Sequence, residues 1–141
     1  MIKIVLDTNV LVSALWTPAG NASTIISLIL TDKIIPCYDH RIINEYRAVL
    51  KRPRLAFSLE QVDHLLTEIT GRGLSVTVSP STVTLPDETD RKFYDVSKLC
   101  DAYLITGNTK HFPDEPTITS PARFLDAFST FMFHQKAPGS A

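Results

Sequence analysis

Apolar and polar positions fall into short blocks along this chain. The first, Ile2-Lys3-Ile4-Val5-Leu6, stops abruptly at Asp7-Thr8-Asn9, and an apolar run restarts at Val10. A short apolar run closed by polar residues predicts a buried strand. Over residues 10–30, two apolar stretches flank the break Trp16-Thr17-Pro18-Ala19-Gly20. This predicts a kinked or paired helical segment with Ile25, Ile26, Ile29 and Leu30 turned inward. Residues 33–37 predict a short strand, and Asp39 is placed to cap a helix through about Leu50, which Pro53 ends. Ser58 and Gln61 have capping-box spacing, and Leu59, Val62, Leu65, Leu66 and Ile69 continue as one apolar stripe to Gly71-Arg72-Gly73. Residues 74–78 alternate weakly as a strand, and a polar Ser/Thr/Pro stretch follows. A helix is then expected from Pro86 or Asp87 to Leu99, with strands at 103–106 and 117–119 after it. Ser120-Pro121 opens a last helix with Phe124, Leu125 and Phe128 on one side, and the Phe131-Met132-Phe133 cluster extends it, better suited to core packing than to a dimer contact. The tail from about His134 reads as disordered.

Strands alternating with helices in this way predict an α/β fold, a single-domain three-layer α/β/α sandwich with a mainly parallel central sheet. In such sheets the ligand crevice lies at the carboxyl ends of the strands. Asp7 and the turn Thr106-Gly107-Asn108 both terminate apolar strands, so they are expected to share one crevice.

Composition narrows the setting. With 141 residues, 44% of them hydrophobic, the chain is the size of one domain with a real core. A net charge of −1 argues against a general polyanion binder, so any nucleic-acid contact must come from a local patch. Arg41, Arg47, Lys51, Arg52 and Arg54 outnumber Glu45 in their stretch and offer such a patch, although basic residues also complement a helix C-terminus or simply face solvent. Lys110 and His111 follow the Asn108 turn and lie nearer the expected crevice. Cys37 and Cys100 lack metal-ligand or CxxC spacing and read as reduced, buried thiols. No apolar run approaches the ~20 residues of a membrane helix, and no signal-peptide pattern opens the chain. A soluble, cytoplasmic protein is expected.

Helical phase sorts the acids. On the helix after Asp39, Glu45 borders the buried stripe of Ile42, Ile43, Tyr46, Val49 and Leu50. On the later helix, Phe93, Val96, Ser97 and Cys100 mark the inward side, with Asp90 at its margin and Asp95 pointing roughly the other way, into solvent. Each retained acid has a plainer alternative: Asp7 as a helix cap, Glu45 as a solvated or paired flank residue, Asp90 as a partner of the helix dipole. Three carboxylates drawn together would repel one another, and their convergence calls for a cation. Oxygen ligands suit Mg²⁺ or Mn²⁺, and such an ion beside a phosphodiester suggests hydrolysis.

At this point the residues resemble a known family. Asp7-Thr8-Asn9-Val10, Glu45 within Ile43-Asn44-Glu45-Tyr46, Asp90 within the segment from Asp87 to Phe93, and Leu104-Ile105-Thr106-Gly107-Asn108 resemble the ordered acidic motifs of PIN-domain nucleases, nearest to VapC-type toxins of toxin–antitoxin pairs. The resemblance covers residues 1–128, which it implies are a PIN-like nuclease domain, with 129–141 a partly disordered extension. It implies a metal-dependent endoribonuclease in which Asp7 and Asp90 hold Mg²⁺ or Mn²⁺ and Glu45 helps bind the ion or activate water. Asn9 and Thr106 would orient the acids, with Arg41, Arg47 and Lys110 as candidate RNA contacts. It also implies a homodimer and a small antitoxin protein as partner.

One departure stands out. Many family members carry a fourth acid where this chain has Asn108; an amide oxygen accepts hydrogen bonds but brings no charge, so a second ion should bind less readily. Asp114, between Pro113 and Glu115, reads as a surface turn residue rather than a substitute. A haloacid-dehalogenase-like phosphatase would need a second Asp where Asn9 stands, and no GxSxG, Walker A or GxGxxG motif is present. The remaining rival is a PIN-like module that binds RNA or protein with weak or no nuclease activity.

Overall fold

A computed structural model describes residues 1–135. Five parallel strands form one sheet in the order β3-β2-β1-β4-β5: β1 Lys3–Leu6, β2 Ile35–Tyr38, β3 Leu74–Ser75, β4 Tyr103–Ile105 and β5 Ile118–Thr119. Six helices flank it: α1 Thr8–Trp16, α2 Asn21–Leu30, α3 His40–Leu50, α4 Leu59–Arg72, α5 Arg91–Cys100 and α6 Pro121–Gln135. This is the expected three-layer α/β/α sandwich. The chain first adds strands on one side of β1 and then returns to the other side with β4. The C-terminal ends of β1 and β4 therefore lie at the point where strand order reverses, the natural place for a crevice. Leu6 stands opposite Ile105, and the Asp7 amide donates to the Ile105 carbonyl at 2.9 Å, so Asp7 leaves the sheet alongside Thr106.

Local chemistry explains most boundaries. The break at 17–20 gives two helices, α1 and α2, rather than one kinked helix. Asp39 caps α3 by accepting from the Ile42 amide at 3.0 Å, and Ser58 caps α4 by accepting from the Gln61 amide at 3.3 Å. Tyr46, at the buried centre of α3, donates to the Leu6 carbonyl and ties α3 to the end of β1. Cys37 and Cys100 are free, buried thiols brought together by the fold; burial, and then each other's proximity, push Cys37 up to about 12.

Several expectations change. Leu30 and Leu59, assigned inward, are substantially exposed, Leu30 as the last residue of α2 and Leu59 as the first of α4. The helix expected from residue 86 or 87 begins at Arg91 after a 3₁₀ turn at Glu88–Asp90. Asp95 is 3% exposed, not solvated, because the loop before α5 folds back over that face and the Ser81 amide donates to Asp95 Oδ2 at 3.0 Å. Arg91 pins the same loop through the carbonyls of Ser81 and Val83. In α6, Phe124 supplies the core contact while Phe131 and Phe133 remain exposed, so the predicted core role for that cluster does not hold. The helix is drawn through Gln135; the rest of the tail expected to be disordered lies outside the described residues.

Gly71 and Gly73 make opposite predictions. A Cβ at Gly73 would lie 2.5 Å from the Pro36 carbonyl and 2.6 Å from the Ile69 carbonyl, whereas one at Gly71 meets nothing within 4 Å. Denaturant unfolding should show Gly73→Ala destabilised by about 1–3 kcal/mol through overpacking. Gly71→Ala should be stabilised by roughly 0.5–1 kcal/mol through helix propensity.

Candidate active site

Asp7 follows the last residue of the central strand and is 7% exposed. Although it occupies the position before α1, its side chain makes no capping bond. It is held instead from the end of the neighbouring strand β4 and from α1: Thr106, fully buried, donates through Oγ1 to Asp7 Oδ2 at 2.8 Å, and Asn9 Nδ2 reaches the same oxygen at 3.5 Å. Asn9 Oδ1 accepts from the Gly107 amide at 3.0 Å, and the Asn108 amide donates to Thr106 Oγ1 at 3.0 Å. The turn after β4 is thus folded around Asp7, as the predicted convergence of the two strand ends requires. Burial pushes the Asp7 carboxyl up to about 6; the Thr106 hydrogen bond opposes this, and the charges of Asp90 and Glu45 add to it.

Asp90 immediately precedes α5 and likewise makes no capping bond. Its Oδ2 is buried without a hydrogen-bond partner. His111, on the 3₁₀ turn Thr109–His111, brings Nδ1 to 3.5 Å from that oxygen, while its Nε2 lies 2.9 Å from the Asn108 amide nitrogen. Burial, and then Asp87, raise Asp90 above its ordinary value, against the pull of His111 and Lys92.

Glu45 projects from the middle of α3 and is engaged at both oxygens. The Thr8 hydroxyl donates to Oε2, and Lys92 Nζ lies 2.8 Å from Oε1. Periodicity placed Glu45 correctly at the edge of the buried face, but gave no sign of Thr8 or Lys92 as its partners. Thr8 follows Asp7 directly and Lys92 lies two residues after Asp90, and that closeness in sequence was the available signal.

The candidate phosphate contacts are placed differently from one another. Arg41 spends its guanidinium on Asp39, with Nε at 2.9 Å and Nη2 at 2.7 Å from Oδ2. Arg47 and Lys110 are exposed, Lys110 on the turn beside Asn108. Asp114 is exposed.

The donor chemistry fits a hard divalent cation. Every acid at the strand ends offers oxygen, one Asp90 oxygen is buried with no hydrogen bond, and Asp7 and Asp90 both carry raised carboxyls that an added positive charge would relieve. Among the described residues, no three His, Cys, Asp or Glu side chains are grouped to hold an ion as they stand. Glu45 is turned toward Thr8 and Lys92, which leaves Asp7 and Asp90 as the available pair. That count suits Mg²⁺, which is commonly held by one or two carboxylates and completes its shell with water and substrate phosphate.

Comparison with known proteins agrees with this geometry. The PIN domain family matches residues 3–110, a span containing Asp7, Glu45 and Asp90. An uncharacterised protein of Methanocaldococcus jannaschii is 34% identical over 110 residues, covering 76% of this chain and 71% of that relative. No solved structure gives a significant match. No helix among the described residues is long and apolar enough to cross a membrane. The chain therefore belongs to the PIN domain family, whose members are generally nucleases.

Proposed function

We propose that this protein is an endoribonuclease that hydrolyses RNA phosphodiester bonds with Mg²⁺ or Mn²⁺. We further propose that it is the toxin of a toxin–antitoxin pair, acting in the cytoplasm as a homodimer and restrained by a small antitoxin protein. The observation that carries the catalytic reading is the Asp7 carboxylate, buried at the strand-order reversal and pushed up to about 6 beside Asp90, whose buried Oδ2 has no hydrogen bond. The toxin and partner readings are supported by the family motifs alone.

Asp7 and Asp90 would hold the ion. When bound, it would supply the charge that acidifies a water and stabilises the oxygens of the phosphodiester as it is attacked. Thr106 and Asn9 fix Asp7 Oδ2, so that carboxylate does not have to reorganise during the reaction. Glu45, held by Thr8 and Lys92, is the nearby base for the proton released by the attacking water. Water adds to phosphorus as the bond to one ribose oxygen breaks, leaving one end with a phosphate and the other with a hydroxyl. Exposed Lys110 and Arg47 can contact flanking phosphates.

Purified full-length protein should cut single-stranded or structured RNA in Mg²⁺ or Mn²⁺. Asp7→Asn or Asp90→Asn should lower the rate by at least about 100-fold without unfolding, since even outer-shell partners of metal ligands are worth about 10–100-fold. RNA bound but never cut, across metals and substrates, would favour the binding-module reading suggested by Asn108. Turnover of phosphomonoesters without RNA cleavage would sink the nuclease. A small adjacent reading frame with a DNA-binding amino terminus would support the toxin role.

The raised Asp7 carboxyl has a stability consequence. Between the ordinary value of 3.8 and about 6, the native state keeps a proton that the unfolded chain has lost. Stability from this group is therefore greatest at low pH and falls as pH rises through that window, by about 3 kcal/mol at 1.36 kcal/mol per unit. In chelator, Asp7→Asn should melt at a higher temperature than wild type at pH 7.5, and the gap should close by pH 4. An equal gap at both pH values would contradict this.

A further inference from the structure

Besides any bound metal, the carboxylate cluster has a cation of the chain's own beside it. Lys92 lies 14% exposed at the start of α5, two residues after Asp90. Its Nζ sits 2.8 Å from Glu45 Oε1, donates to the Thr89 carbonyl, and lies 5.1 Å from the centroid of the Phe93 ring. Three anchors of different kinds thus hold one ammonium between α3 and α5. The other Glu45 oxygen takes the Thr8 hydroxyl, so neither oxygen is left without a protein partner.

We propose that Lys92 is a built-in substitute for a second metal ion: its ammonium neutralises Glu45 and keeps that carboxylate from ligating, so the site loads a single divalent cation on Asp7 and Asp90. This rests on the metal reading above and goes beyond it by fixing the number of ions and naming the residue that fixes it. Asn108 acts in the same direction, since the turn after β4 contributes an amide rather than a fourth negative charge. A fixed ammonium and a divalent ion compete for the same carboxylate, and an internal ammonium pays no association entropy. Lys92 is a positioning residue in this account, because it acts through Glu45 rather than on the substrate.

The test counts ions on the full-length protein, using Mn²⁺ followed by calorimetry and by the electron paramagnetic resonance signal of free Mn²⁺. Wild type should bind one. Lys92→Met, which keeps the stem and removes the charge, should bind two over the same concentration range, and Lys92→Gln should do the same if the Met variant folds poorly. Lys92→Arg should return the count to one, as should Lys92→Met combined with Glu45→Gln, because the extra ion needs the released carboxylate. A count of one in both Lys92→Met and Lys92→Gln overturns the proposal, as does a count of two in wild type. Absence of Mn²⁺ binding in wild type and every variant overturns the metal reading itself, a result distinguishable from the others.

Discussion

An ionised carboxylate taken out of water loses several kcal/mol of hydration unless hydrogen bonds or an opposite charge replace it. Asp7 sits under that constraint at the end of the central strand, with Thr106 and Asn9 as its side-chain partners and two further acids nearby. The surroundings can be understood as ways of containing this cost. Thr106 and Asn9 direct their hydrogen bonds to one oxygen, and Lys92 neutralises Glu45. His111 turns a nitrogen toward Asp90. The strain that remains is what a divalent cation would relieve under the proposed function.

Sheet topology makes this possible with short side chains. Because β4 returns beside β1, residues 99 positions apart are joined by one 2.8 Å hydrogen bond. α3 then brings Glu45 in and the turn leading into α5 brings Asp90, α3 being fastened by the buried Tyr46 hydroxyl on the Leu6 carbonyl and stacked through Tyr46 on Phe93. The buried Asp7 is held by the sheet ends while the exposed Lys110 lies on the adjoining turn.

Much of this was legible in the sequence, for identifiable reasons. Strands β1 and β4 are strongly apolar, and Asp39 and Ser58 cap as their spacing implies, since capping is a local interaction. Helical phase placed Glu45 because it lies on α3 beside the buried Ile42 and Tyr46; Asp90 precedes α5, on the 3₁₀ turn, and keeps its place at the margin of that helix. Phase failed for Asp95, which is covered by a loop from outside its helix, a tertiary contact that no periodicity encodes. The Lys92–Glu45 pair joins residues 47 positions apart on two helices, so neither partner announces the other. Cys37 and Cys100 looked isolated for the same reason. Three acids at the strand ends call for positive charge, and the fold places one ammonium, that of Lys92, against Glu45.

The most direct measurement of the central claim is a carboxyl-carbon NMR titration of Asp7 in the full-length protein, without and with Mg²⁺. The account predicts a midpoint near 6 in the metal-free protein and a fall well below that when Mg²⁺ is present. An ordinary carboxylate midpoint near 4, unchanged by Mg²⁺, would contradict it.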